Sequence, residues 1–327
     1  MAIGSGLGAS FGISAESTYG TYVAPARWWP GTQFFVKPDI QKTPVVGLAA
    51  GRLGPGIDEV ITGRSGTGQW QGQIPTNKMG LFLSHLMGST PTPTQQAATA
   101  AYLANFTVAD NFGKYLTAQA GVPLTTGTVQ AYTGTGGKVT GLELSSDVNG
   151  VLTGTADFWF QNVIDSQALA APSYTSYGVL NSLAVKVGTF NSEAAVTGVR
   201  SASVKLEREL DPERPGLPGA YPEPIMTGQG FKVTGTINPD FTAKADWADR
   251  FLAGTSTALV LEWTGSLIAS TYYNTVRVRC PKVFLRDAIP GVDGPEVVKG
   301  SVAFEAFLDT TNGLALLDII STDTTLL

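Results

Sequence analysis

An internal repeat constrains this chain more than any other feature. Ile61-Thr62-Gly63 returns as Met226-Thr227-Gly228, a shift of 165. A strand-like run follows each, QWQGQI at 69–74 and KVTGTI at 232–237, at a shift of 163. A helix-like run then ends at a glycine, Gly88 or Gly254, at a shift of 166. Lys138-Val139 matches Lys282-Val283 at a shift of 144, and Gly154–Phe158 matches Gly300–Phe304 at 146. Five matches in one order predict two copies of a single unit. The division falls near the linker-like stretch Ala168–Tyr177, so the expected domains are 1–170 and 171–327.

Each copy reads as β. Ala202, Val204 and Leu206 alternate with Ser201, Ser203 and Lys205, the period of a half-buried strand. Leu183–Val187, Phe231–Ile237, Ala258–Trp263, Thr275–Arg279 and Val297–Phe307 read likewise. Glycine-rich clusters such as 133–137 and 147–150 read as the turns between them. The expected fold is mainly β: two tandem β-sandwich or barrel domains, each with a short flanking helix and a long inter-strand loop. The helices are expected at 77–87 and 240–253, with a less regular third at Gln95–Leu103. The first copy's extra residues fall within 90–132. The long loops are Lys42–Ser65 and Glu209–Gln229; excursions of this length inside compact domains are usually functional or disordered.

Composition narrows the function. Gly and Pro number 39 and 19, while charged residues are 14% of the chain, against about 25% on average. A core-forming chain with so few charges leaves neutral surface that suits burial against other subunits. Residues 1–165 hold 17 charged side chains and residues 166–327 hold 30, so the first half is expected to lie deeper in an assembly. The net charge of −5 comes with no basic stripe, which argues against gripping phosphates for affinity. No apolar run reaches the length of a membrane span, and the N-terminus lacks the pattern of a secretory signal. Cys280, alone, makes neither a disulfide nor a cysteine zinc site.

The chain carries few motifs with a chemical role, and each falls short of its requirements. Gly8-Ala9-Ser10-Phe11-Gly12 has the spacing of a nucleophile elbow but too short a lead for its strand. Its base would have to be His85, the only histidine, which reads as a helix residue facing a groove or solvent. The glycines at 6–12 and 134–137 fail the dinucleotide and phosphate-loop spacings. Glu207, Glu209, Asp211 and Glu213 could hold a calcium ion or form a solvated face paired with Lys205, Arg208 and Arg214. Trp28-Trp29-Pro30 reads as a packing anchor. No enzyme, cofactor or metal is expected.

The opening Gly12-Ile-Ser-Ala-Glu-Ser-Thr-Tyr-Gly-Thr-Tyr22 resembles that of tail tube proteins from long, non-contractile-tailed phages. The resemblance continues through 138–144, 150–158, Val204–Glu209 with its Pro-rich loop, and Gly294–Asp309. It implies a structural subunit whose units form rings that stack into a hollow conduit for DNA ejection. Duplicated members would close a ring with three chains (a pseudo-hexamer), single-unit members with six. The resemblance implies inter-ring contacts at Leu53, Pro55, Ile57, Asp58 and Glu59 in the first loop. In the second they fall at Asp211, Glu213, Arg214, Pro215, Leu217 and Tyr221. Phe11, Ile13 and Tyr19 are the expected N-terminal arm contacts. Implied partners are further copies of the chain, tape measure protein and genomic DNA in the lumen, and the tail terminator and baseplate or tip proteins. The protein would be made in the host cytoplasm and reside in the virion tail, with no membrane. A carbohydrate-binding or adhesin β-sandwich is the alternative, and another tube-like assembly protein a neighbouring one.

Overall fold

The computed structural model describes residues 3–45, 58–174, 178–211, 223–245, 247–292, 294–295 and 297–326. Up to residue 164 the elements are β1 (Ser10–Glu16), β2 (Arg27–Trp29), β3 (Gln33–Val45), β4 (Asp58–Gln73), α1 (Gly80–Met87), β5 (Thr94–Gln95), β6 (Tyr102–Thr107), β7 (Tyr115–Pro123), β8 (Val129–Asp147), β9 (Thr153–Phe160) and β10 (Asn162–Ile164). Then follow β11 (Leu180–Thr189), β12 (Ser192–Val196), β13 (Val199–Asp211), β14 (Ile225–Pro239), α2 (Ala248–Ala253), β15 (Thr257–Ala269), β16 (Tyr272–Asp287), β17 (Val302–Ala306) and β18 (Leu316–Ser321). The fold is mainly β, as the alternation predicts.

Strand pairing recurs. The first half pairs β1–β2, β1–β7, β7–β8, β8–β9, β8–β10, β4–β9 and β3–β4. The second pairs β11–β12, β11–β15, β15–β16, β16–β17, β16–β18, β14–β17 and β13–β14 in the same scheme. Three further pairings remain among the described residues. β8–β13 and β6–β18 join the halves, and β5–β6 is a local hairpin. The first copy's extra residues thus include a strand that extends the second half's sheet.

Bulges refine the alignment. β8 is bulged against β9 between Val139 and Gly141, and β16 against β17 between Leu285 and Asp287. Both give a shift of 146 for these strands, two more than the Lys-Val match suggested. That match fell on the same strands but in the wrong register.

The two sheets of the first half close over an aromatic core. Trp29 packs on Trp70 and on Phe82 of α1, each with ring centroids 5.4 Å apart. Phe82 and Phe11 both meet Phe158 at 5.8 Å. Trp28 and Trp29 are both about 1% exposed, as befits an anchor.

Several sequence expectations give way here. Residues 133–137 are not a turn but the middle of β8. A Cβ on Gly134 would sit 2.5 Å from the Phe160 ring, and one on Gly137 2.8 Å from it. These glycines let an aromatic ring lie against the strand. Gln95–Leu103 forms no helix: Ala97 and Ala98 turn at φ 45° and 55°, and the chain pairs onward with β18. Inter-strand pairing outweighs the helical preference of the four alanines in this segment. Both helices start later than expected, because Lys78 at φ 66° breaks the first and Asp240 bridges to Lys299 before the second. His85 faces neither groove nor solvent; it is 5% exposed. Residues 42–45 and 58–65 continue the β3–β4 ribbon rather than looping, because the β-branched Thr43, Val45, Val60, Ile61 and Thr62 suit pairing.

Candidate assembly surface

Eight strands run side by side across both halves in the order β3-β4-β9-β8-β13-β14-β17-β16. The join is β8 against β13, from Gly141↔Glu207 to Asp147↔Ser201. Alternation gives this sheet two chemistries. Leu142, Leu144, Val204, Leu206, Val233 and Phe304 point into the core. The opposite face carries Gln69, Asp157, Glu143, Lys205, Glu207, Lys232, Arg286 and Glu305. Its four acids slightly outnumber its three bases, and several are paired: Lys205 with Glu207 at 2.5 Å, Arg286 with Glu305, and Gln69 donating to Asp157 at 2.9 Å. The spaced Arg277 and Arg279, on another face, are also matched, to Glu262 at 2.8 Å and Asp318 at 2.9 Å.

The join is fastened by two buried cations, Arg208 and Lys138; Arg208, expected to pair with acids on a solvated face, instead turns inward because its alternation phase is that of the core residues. Arg208, 3% exposed, donates through Nε and Nη2 to Leu86 O at 2.8 and 2.6 Å, and through Nη2 to Ala109 O at 3.0 Å. It thereby satisfies a carbonyl in the last turn of α1, where a cation is favoured. Burial lowers its pKa to about 10. Lys138 is fully buried; its Nζ donates to Asn111 O at 2.8 Å, pairs with Glu223 and lies 4.7 Å from the Tyr115 ring centroid. Burial pulls the Lys138 pKa down against the opposing pull of Glu223. Tyr115 donates to Glu223 at 2.8 Å, and burial with that bond pushes its hydroxyl up to about 12. Glu223 thus pins the chain entering β14 onto the first half. A signal existed for Arg208: it continues the 202–204–206 alternation on the core face.

Of the expected inter-ring residues, Leu53, Pro55, Ile57, Glu213, Arg214, Pro215, Leu217 and Tyr221 lie outside the described residues. Asp58 and Glu59 stand exposed at the start of β4, with Glu59 3.4 Å from Lys42. Asp211 ends β13, paired with Ile225. The outer β3–β4 ribbon exposes Ile40, Val45, Val60 and Ile61, each at 40% or more.

The expected arm contacts behave differently. Phe11 and Ile13 are 0% exposed on β1, spent in the subunit's own core because β1 pairs with β2 on one side and β7 on the other. Tyr19 packs on Tyr115 at 4.9 Å, and burial raises its pKa. Its turn is held by Glu16, which accepts from Gly20 N at 2.9 Å, Thr117 Oγ1 at 2.7 Å and Gly136 N at 3.0 Å. Exposed apolar side chains lie further upstream, at Ile3 and Leu7.

No hydrolase triad assembles. His85 Nε2 lies 3.0 Å from Tyr115 O, whereas Ser10 pairs with Gly121, six residues along β7 and so about 20 Å away. Among the described residues no cluster of three His, Cys, Asp or Glu could hold a metal, and no helix is long and apolar enough to cross a membrane.

A sheet that bridges two repeats of one pairing scheme, with one polar face of mixed charge, suits a wall. The family model for phage tail tube proteins matches residues 6–306, which is 301 of 327 residues. The chain belongs to the phage tail tube protein family. It is accordingly a structural subunit of a tail tube and a component of the virion tail. No curated protein matches the chain.

Proposed function

We propose that each chain of this tail tube protein contributes two ring units, divided near residue 170, and that three chains close one ring. The observation that carries this reading is the eight-stranded sheet crossing both halves with a polar outer face. Three such sheets in a ring make 3 × 8 = 24 strands. Barrels of about 16 to 18 strands already leave an aqueous channel. A 24-stranded wall would leave a wider bore lined by Gln69, Glu143, Asp157, Lys205 and their neighbours. Phosphates passing such a face meet no unpaired basic stripe, so DNA slides rather than binds.

Rings then stack through the excursions 46–57 and 212–222, which carry Leu53, Pro55, Ile57, Pro215, Leu217 and Tyr221. The exposed Val60 and Ile61 at their base need cover of this kind. The upstream arm, with Ile3 and Leu7, reaches a neighbouring chain, while Tyr19 steadies its root. The lumen would hold tape measure protein and then the genome, with terminator and tip proteins at the ends. No bound cofactor is needed.

Native mass spectrometry of isolated rings tests the stoichiometry. Three chains of 34.2 kDa give about 103 kDa, six give about 205 kDa. A ring of six chains would overturn the threefold reading. Electron microscopy of variants lacking residues 50–58 or 214–222 tests stacking: folded subunits that no longer polymerise are expected, and tubes of normal length would refute the loop assignment. A glycan-binding monomer that never polymerises would favour the adhesin alternative.

A further inference from the structure

We infer that the chain carries within itself a template of its own ring contact: the free edge of β3 in one protomer pairs with residues 288–292 of the next, in the register of the internal β13–β8 join. This deepens the ring reading above and rests on it.

Two shifts define the correspondence. Matching bulges relate β8 to β16 by 146, as noted. The row Val36–Gly68–Phe158–Val139 matches Val204–Gly235–Phe304–Leu285, which relates β3 to β13 by 168. At the internal join Lys205 faces Glu143, Ser203 faces Ser145 and Ala202 faces Ser146. The corresponding pairs between protomers are Lys37 with Ile289, Phe35 with Gly291 and Phe34 with Val292.

Both partner edges stand open in the subunit. Among the described residues β3 pairs only with β4. β16 stops at Asp287, while β8 continues through the corresponding positions to Asp147 with β13 alongside. Ile289 and Val292 are 56% and 74% exposed, large values for apolar side chains. The counterpart of Val292 is Ser146, 5% exposed, whose Oγ accepts from Trp263 Nε1 at 2.6 Å. What the internal join buries, the open end leaves in water.

Pro38 and Pro290 fall opposite Ala288 and Val36 in this register. Each removes one donor from the ladder, so the contact is shorter than the internal one. Prolines on free edges also discourage pairing with wrong partners. A heterologous contact of this kind closes into a ring when its rotation allows.

The test introduces Lys37→Cys and Ile289→Cys together. Both positions are exposed, and directly opposed residues in this pairing lie within disulfide range. Cys280 stays, being buried with its thiol pushed up to about 12. Mild oxidation of assembled rings should give a covalent ladder ending at three chains, while each single variant stays monomeric on a non-reducing gel. A ladder ending at six keeps this contact and overturns the threefold ring. Wild-type rings whose double variant links no better than Lys37→Cys with Tyr273→Cys overturn the contact and leave the ring reading standing. Wild-type chains that form no ring overturn both. Val292→Asp is the second arm, because this register buries position 292 as the counterpart of Ser146, opposite Phe34: unchanged subunit melting with loss of rings is expected, and normal rings would refute the contact.

Discussion

Residues 142–155 and 288–301 are fourteen-residue counterparts with opposite fates. The first is the tip of the β8–β9 hairpin, zipped from Leu142↔Ala156 to Ser145↔Thr153 and flanked by β13. The second has no residue in a strand among those described, only an isolated bridge from Lys299 to Asp240. Part of the difference is local: the second carries Pro290 and Pro295 where the first has Leu144 and Asn149. The rest is context. Leu142 and Leu144 face the core in a strand whose free edge β13 covers, whereas Ile289 and Val292 are exposed and no strand pairs with them among the described residues. Strand formation in this pair of segments depends on a neighbour as much as on sequence.

The sharpest way to break that comparison is to unfasten the covered side. Lys138→Met removes the cation that Glu223 meets at the join, and breaking such a buried pair costs about 3–5 kcal/mol. Denaturant melts of the isolated subunit should show it, and a double variant with Glu223→Gln should recover much of the loss. A cost under about 1 kcal/mol would mean the clasp does not hold the halves together.

Leu144→Ala should cost about 3 kcal/mol by leaving a cavity in the packed hairpin. Pro290→Ala, at the corresponding open position, should move subunit stability by less than about 0.5 kcal/mol. Equal effects at both sites would erase the contrast.

The helices sharpen it through pH. His85 in α1 is buried, and desolvation lowers its pKa to about 4; its counterpart in α2 is Phe251, at the repeat shift of 166. The unfolded chain takes up a proton near pH 6.5 while the folded chain resists until about pH 4. Stability from the neutral ring is therefore present above pH 6.5 and lost as pH falls, by about 2 kcal/mol at pH 5. Glu16 and Asp323, whose pKa values burial raises, act in the opposite sense at low pH. The comparison is therefore wild type against His85→Gln, whose stability should change less between pH 7 and 5. Parallel pH profiles would exclude His85 as the cause.

The smallest effect belongs to the ribbon. Lys42→Ala breaks an exposed pair with Glu59 and should change subunit stability by less than about 0.5 kcal/mol. A larger loss in isolated subunits would show that the ribbon supports the fold and not only contacts beyond it.

Much of the architecture was legible because its signals are local. Alternation at 201–206 predicted β13, and Gly88 and Gly254 marked the helix ends. Gly88 could not be replaced, since a Cβ there would meet Ala109 O at 2.2 Å. Residues 133–137 misled because a glycine that turns the chain and one that admits a ring look alike in sequence. Only the position of Phe160 separates them. His85 misled for a related reason: an apolar helix run does not say which strand will cover its polar residue, and Tyr115 lies 30 residues on. Arg208 sat in plain phase with the core residues, yet its acceptors, Leu86 O and Ala109 O, are about a hundred residues distant.

By itself the sequence determined a mainly β chain, a repeated scheme of strands, and a tail tube resemblance that the family match shows. Periodicity and turn chemistry act over a few residues, so they survive without a fold. Tertiary structure decided which strand edges meet, which cations are buried at the join, and where a hairpin zips or stays open. Those outcomes depend on desolvation and pairing between segments far apart in the chain.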